Sequence, residues 1–128
     1  MIELYVDGAS AGNPGKSGIG IFIKGEGHHI QLSEKIAPTD NHSAEFQALI
    51  RGLEETAKLT TGIVSVRSDS QIVVSAVDNE YVKNATYKKY LADILKIAEQ
   101  FDYFFIKWIP TAENRAADAL AKRALHMP

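Results

Sequence analysis

Three features of the chain predict an α/β fold built as one layered system. The hydrophobic period changes from two to about 3.6 near residue 43 and returns to a strand-like run near residue 63. The first three apolar runs are joined by glycine-containing connections too short to hold a crossover helix, so they read as an antiparallel meander. Later runs alternate with helical stretches, the pattern that lays helices against a sheet.

Taken in order, Ile2, Leu4 and Val6 alternate with Glu3, Tyr5 and Asp7, a strand over 2–7 with Asp7 at its end. Gly8 through Gly18 then breaks the pattern with Gly12, Asn13, Pro14 and Gly15, a turn cluster. A second strand is expected from Ile19 to Lys24 and, after Gly25 and Gly27, a third from about His29 to Lys35. Over Ser43 to Leu59, the residues Phe46, Leu49, Ile50, Leu53 and Ala57 form one helical stripe, with Asn41 or Ser43 as the expected cap. Gly62 separates this helix from the strand Ile63–Ser68, which delivers Asp69. A short helix is expected near Gln71 to Val77. A longer one follows, with Tyr87, Leu91, Ile94, Ala98 and Phe101 on one face. Tyr103 to Ile109 reads as a fifth strand stopped by Pro110, and Arg115 to Leu125 as a closing helix. Phe22, Phe46, Phe101, Phe104, Phe105 and Trp108 fall at strand or helix positions that read mostly as core. No repeat, linker or low-complexity tract interrupts the order, so residues 1–128 are expected to form a single domain.

A chain of 128 residues can bury a sizeable core without covalent staples. The absence of cysteine excludes disulfides and thiolate-bound zinc, and fits a reducing, cytoplasmic setting. The start, Met-Ile-Glu-Leu-Tyr-Val-Asp, lacks the basic and apolar regions of a signal peptide. No apolar run approaches the roughly 20 residues of a membrane span, so no membrane partner is expected. A net charge of −2 argues against a broad basic footprint for nucleic acid. The local clusters Lys83, Lys88, Lys89 and Arg115, Lys122, Arg123 fit solvated helix faces as well as phosphate contacts.

Four carboxylates stand at the edges of expected elements: Asp7, Glu45, Asp69 and Asp118. Singly, each has a structural explanation as a turn residue, a cap or a partner of a helix dipole. Together they suggest hard oxygen ligands for divalent cations, since gathered acids repel unless positive charge lies between them. The small neighbours Ala116, Ala117 and Ala119 would let the last helix approach the sheet and carry Asp118 toward its edge. The Gly8–Gly18 segment lacks the lysine and helix start of a nucleotide-binding loop, which argues against an ATP site.

These motifs, in this order and over essentially the whole chain, resemble the type 1 ribonuclease H family. Asp7-Gly-Ala-Ser-Ala-Gly-Asn-Pro-Gly is similar to its first motif, Asn41-His42-Ser43-Ala44-Glu45 to its Asn-x-x-x-Glu helix start, Ser68-Asp69-Ser70-Gln71 to its (Thr/Ser)-Asp-Ser-x segment, and Ala117-Asp118-Ala119-Leu120-Ala121 to its final helix. The resemblance implies an RNase H-like fold, a mixed five-stranded sheet with the first three strands antiparallel, flanked by helices. It implies metal-dependent hydrolysis of the RNA strand of an RNA–DNA hybrid, leaving 5′-phosphate and 3′-hydroxyl ends. Two Mg2+ ions, or Mn2+, would be held by Asp7 and Asp69, with Asp7 bridging and Glu45 and Asp118 completing the sites. Substrate contacts would come from Gly12, Asn13, Asn41, His42, Ser70 and Gln71, and from Asn84 at a DNA phosphate.

Three departures from the family pattern bear on activity. The stretch Ile109-Pro110-Thr111-Ala112-Glu113-Asn114 carries no histidine where many members have one in a mobile loop, and its Trp-Ile-Pro form resembles a subgroup lacking that residue. The short acidic segment Asp78-Asn79-Glu80 stands where some members carry a tryptophan-rich basic protrusion. Asp40 stands where many place a threonine beside the DNA phosphate. The alternative reading is therefore an RNase H-like module that binds nucleic acid with weak or no turnover, and a relaxed preference for double-stranded RNA is a third. A monomer is expected.

Overall fold

The computed structural model describes residues 1–128. Its elements are strands β1 (Ile2–Ser10), β2 (Gly15–Gly25) and β3 (His28–Thr39), helix α1 (Asn41–Ala57), strand β4 (Ile63–Ser68), helices α2 (Gln71–Asn79) and α3 (Ala85–Ala98), strand β5 (Tyr103–Trp108), a single 3-10 turn at Thr111–Glu113, and helix α4 (Arg115–Leu125). The strands form one five-stranded mixed sheet in the order β3-β2-β1-β4-β5. β1, β2 and β3 pair antiparallel as a meander, whereas β4 pairs parallel to both β1 and β5. This is the expected fold class and element order.

Register explains which residues meet which layer. Ile2, Leu4 and Val6 lie on the same face as Ile23, Ile21, Val64 and Val66. They pack with Phe46, Leu49 and Leu53 of α1, Val73 of α2 and Ile94 of α3 into one buried core. The opposite face of β1 and β2 is different: Asp7 pairs with Gly20, and Ala9 with Gly18. Here α4 presses directly on the sheet. A Cβ on Gly20 would run into the Ala117 carbonyl and the Ala121 amide, and one on Gly18 into the Ala124 side chain. The alanines Ala117, Ala121 and Ala124 are fully buried at this contact. Small side chains on both partners thus bring α4 close, as its alanine-rich sequence suggests.

The strands run further than their sequence pattern. β1 continues past Asp7 to Ser10, because the ladder with β2 persists through Ser10↔Ser17, and the turn shrinks to residues 11–14. Asp7 is therefore inside β1, not at its end. β3 likewise extends to Thr39. The cap of α1 is neither Asn41 nor Ser43 but Asp40, whose carboxylate accepts from the Ser43 amide at 2.9 Å and from its hydroxyl at 2.5 Å. The Tyr87 hydroxyl of α3 donates to the same carboxylate at 2.8 Å. Burial pushes the Asp40 carboxyl up, but these hydrogen bonds outweigh it and hold it at about 2.

The aromatic residues divide. Phe46 and Phe101 are core, as expected, whereas Phe105 is 55% and Trp108 44% exposed. β5 is an edge strand, and α4 packs over β1, β2 and β3, so the face of β5 that carries Phe105 has no covering layer, while Trp108, on the opposite face, stands at the strand's end.

Gly20→Ala should destabilise the chain by about 2–3 kcal/mol in urea unfolding, since neither the sheet nor α4 can yield without losing packing. Asp40→Ala should cost about 1–2 kcal/mol at neutral pH. Because the folded carboxyl is depressed, the native advantage is complete above the ordinary value of 3.8 and disappears as pH falls through about 2. The gap between wild type and variant should close over that window.

Candidate active site

The two helical layers meet at one end of the sheet, where β1 and β4 stop pairing at Val6↔Ser68. Asp7 follows Val6 and points toward α4. Gly8, next along the strand, faces α1. A Cβ there would strike the Ala44 carbonyl carbon and the Glu45 amide, so glycine lets the second turn of α1 lie against β1. That approach brings Glu45 over the sheet end. It lies beyond the first turn of α1, so a helix-dipole explanation does not account for it. Asp69 leaves the end of β4 in a short turn fixed by Ser68 and Ser70. The Ser70 amide donates to the Ser68 hydroxyl at 3.1 Å, and the Ser70 hydroxyl caps α2 by accepting from the Val73 amide at 3.3 Å.

As a result, one oxygen from each of Asp7, Glu45 and Asp69 lies within 4.8 Å of the others. Asp7 is the buried member, 8% exposed. Burial, then the charges of Asp69, Asp118 and Glu45, push its carboxyl up to about 9. Burial also raises Glu45, although His42, with Nδ1 3.0 Å from Oε1, pulls the other way. Asp118 lies against Asp7 from the α4 side, while its outer oxygen is 3.0 Å from Lys122 Nζ. Asn114, just before α4, donates from Nδ2 to the Val6 carbonyl at 3.0 Å and so ties the start of that helix to β1. Its Oδ1 is buried with no partner.

A cleft of ≈ 360 Å³ opens beside Glu45 and Asp69, lined also by Asn41, His42, Ser70, Gln71, Ile72 and Trp108; Asp7 and Asp118 do not line it. Asn41, His42, Ser70 and Gln71 therefore share one surface. Gly12 and Asn13 lie outside the cleft, in the exposed 11–14 turn. That turn is linked to the approach to α1 because Ser10 donates to both the Gly12 and Thr39 carbonyls. Asn84 is also outside. Its side chain caps α3, accepting from the Thr86 and Tyr87 amides at 2.9 and 3.1 Å. Trp108, at a strand position where the sequence favours core, instead forms a wall of the cleft, its Nε1 donating to the Asp69 carbonyl at 3.1 Å. A Trp followed by Ile-Pro at the close of an edge strand was the available signal.

A mixed α/β sheet with acids gathered at one sheet end is an arrangement that could hold divalent cations. A family model described as Reverse transcriptase-like matches residues 5–124. The chain is 39% identical to the Putative hydrolase EbsB of Enterococcus faecalis, over 98% of this chain and 94% of that one. It superposes with a TM-score of 0.90 on the RNase H1 of Halobacterium salinarum, 32% identical, covering 97% of this chain and 96% of the other. It also superposes on LC11-RNase H1, solved in complex with an RNA/DNA hybrid, with a TM-score of 0.89 and 36% identity over 98% and 96% of the two chains. The chain spans 35% of the length of the longer mycobacterial proteins it matches. The chain belongs to the ribonuclease H family and is a ribonuclease H by kinship in sequence and in fold.

The raised Asp7 carboxyl has a measurable consequence. Without divalent cations, the native state binds a proton that the unfolded chain releases near 3.8, so stability falls as pH climbs from there toward about 9. Asp7→Asn removes this repulsion. It should raise metal-free stability near pH 8 by at least about 1 kcal/mol, and flatten the pH profile of the melting temperature.

Proposed function

We propose that the chain hydrolyses the RNA strand of RNA–DNA hybrids with the aid of two divalent cations, Mg2+ or Mn2+. The observation that carries the reading is the convergence of Asp7, Glu45 and Asp69 oxygens within 4.8 Å in a chain of this family. An all-carboxylate oxygen set suits hard cations, and a buried acid driven up by its neighbours is relieved by a cation placed among them. Asp7 and Asp69 would hold the ions, Glu45 from α1 and Asp118 from α4 each completing one side. When bound, the pair supplies Lewis-acid activation of water and stabilises the departing 3′ oxygen, which leaves 5′-phosphate and 3′-hydroxyl ends.

The remaining residues position the duplex. Asn41, Gln71 and Ser70 offer polar groups along the cleft that can meet 2′-hydroxyls, the feature that separates RNA from DNA. His42 holds the Glu45 carboxylate by its contact at 3.0 Å and presents the rest of its ring to the cleft. Trp108 fixes the Asp69 turn from the other wall. Gly12 and Asn13 would meet the duplex from the exposed 11–14 turn outside the cleft, and Asn84 retains an amide nitrogen for a phosphate while its oxygen caps α3. Asp40 stays ionised beside this surface, which weakens the hold on the DNA strand. The chain acts in this reading as a single-domain monomer in the cytoplasm. No helix is long and apolar enough to cross a membrane.

Incubation with an end-labelled hybrid and magnesium should cut only the RNA strand, and Asp69→Asn should abolish cutting while the protein stays folded. Folded wild type that binds the hybrid but leaves it intact with either metal would replace the enzyme by a binding module. Unlabelled hybrid should compete better than double-stranded RNA; equal competition would show relaxed duplex choice.

A further inference from the structure

A second recessed surface lies at the open edge of the sheet. β5 has β4 on one side and no strand on the other, so alternate backbone groups of Tyr103–Trp108 face outward without a strand partner. Edge strands are commonly blunted by several charges or by proline, but Tyr-Phe-Phe-Ile-Lys-Trp has one charged residue and no proline. Beside this edge, the C-terminal ends of α2 and α3 leave a cleft of ≈ 460 Å³. Its floor is apolar, formed by Val77, Leu95, Ala98, Phe104 and Ile106. Its rim carries Asp78, Glu80 and Glu99, all exposed, and neither lysine nor arginine lines it.

The electrostatics of this cleft point one way. Both helices direct their C-terminal carbonyl ends toward it, which adds partial negative charge to the three carboxylates. The last turn of α2 has no basic residue, and Lys96 in the last turn of α3 does not line the cleft. Such a rim repels a polyanion and attracts cationic side chains. It shares no residue with the carboxylate cleft.

We infer that the β5 edge and its acid-rimmed cleft form a docking surface for an extended peptide segment of a protein partner that alternates apolar and basic side chains. The peptide backbone adds a sixth strand to β5. Its apolar side chains settle over Phe104 and Ile106, and its lysines or arginines meet Asp78, Glu80 and Glu99. The inference goes beyond the proposed hydrolysis and is tested separately from it. α2 links the two surfaces physically, since Gln71 and Ile72 at its start line one cleft and Val77 and Asp78 near its end line the other.

The test is an NMR titration of the 15N-labelled full chain, in magnesium, with a blocked six-residue peptide of alternating valine and lysine. A valine–glutamate peptide is the control. Shifts should concentrate at Val77, Ala98 and Phe104–Ile106. In the double variant Asp78→Lys/Glu99→Lys, affinity for the valine–lysine peptide should fall at least about tenfold, while its melting temperature matches wild type. The inference is overturned if the shifts fall only around Asp7, Glu45 and Asp69, or if the glutamate peptide binds equally well. It is equally overturned if the same resonances respond to hybrid duplex, or to protein concentration alone, which would assign the edge to nucleic acid or to a second copy.

Discussion

Mutual repulsion among Asp7, Glu45 and Asp69 is the constraint on which the rest of the structure depends. Carboxylates do not gather within 4.8 Å of their own accord, least of all around one that is buried. The backbone must hold them there, and it does so from three elements of differing rigidity. Asp7 sits inside a strand hydrogen-bonded to neighbours on both sides. Glu45 is carried by a helix whose cap is itself buttressed by Ser43 and Tyr87. Asp69 lies in a turn locked by Ser68, Ser70 and Trp108. None of these anchors contributes a carboxylate to the cluster, yet each limits how far the charges can relax apart.

Close approach is the second half of the same device. Gly8 admits α1 to one side of β1, and Gly18 and Gly20 admit α4 to the other side of the β1–β2 pair. The acids reach the sheet end only because side-chain volume has been removed along both contacts. Stability lost by omitting side chains there is recovered in the opposite layer, where large aliphatic residues from β1, β2 and β4 fill the core against α1, α2 and α3. Asn114 joins the two halves. Its single bond to the Val6 carbonyl sets where α4 begins, hence where Asp118 stands relative to Asp7.

Much of this was legible in the sequence because it depends on periodicity. The alternation at Ile2, Leu4 and Val6 and the helical stripe from Phe46 to Ala57 both report burial on one face, and burial fixed those elements. What escaped was set by partners distant in sequence. β1 outruns its own pattern because Ser17 and Gly18 are available to pair with Ser10 and Ala9. Asp40 serves as cap because its carboxylate also receives the hydroxyl of Tyr87, far along the chain. Phe105 has the composition of a core residue but faces the side of an edge strand that no helix covers, and Trp108 stands at that strand's end; strand order is not written in local pattern. The four acids stand out in the sequence because each lies at the edge of an expected element, and the motifs around them then resemble a family. The degree of their crowding, with Asp118 outside the tight trio and held by Lys122, needed coordinates.

Charge distribution gives the proposed chemistry its order of events. The chain carries a formal charge of −2 and places its densest acids where a polyanionic duplex would dock. In the absence of cations this surface repels phosphate, and no basic protrusion exists to compensate. Two divalent cations would more than cancel the formal charge of the whole protein, and would do so at the one place where phosphate must approach. Cation and duplex binding are then thermodynamically linked, each strengthening the other by the same factor. In the proposed mechanism, the carboxylates that would hold the cations would thereby also govern substrate affinity.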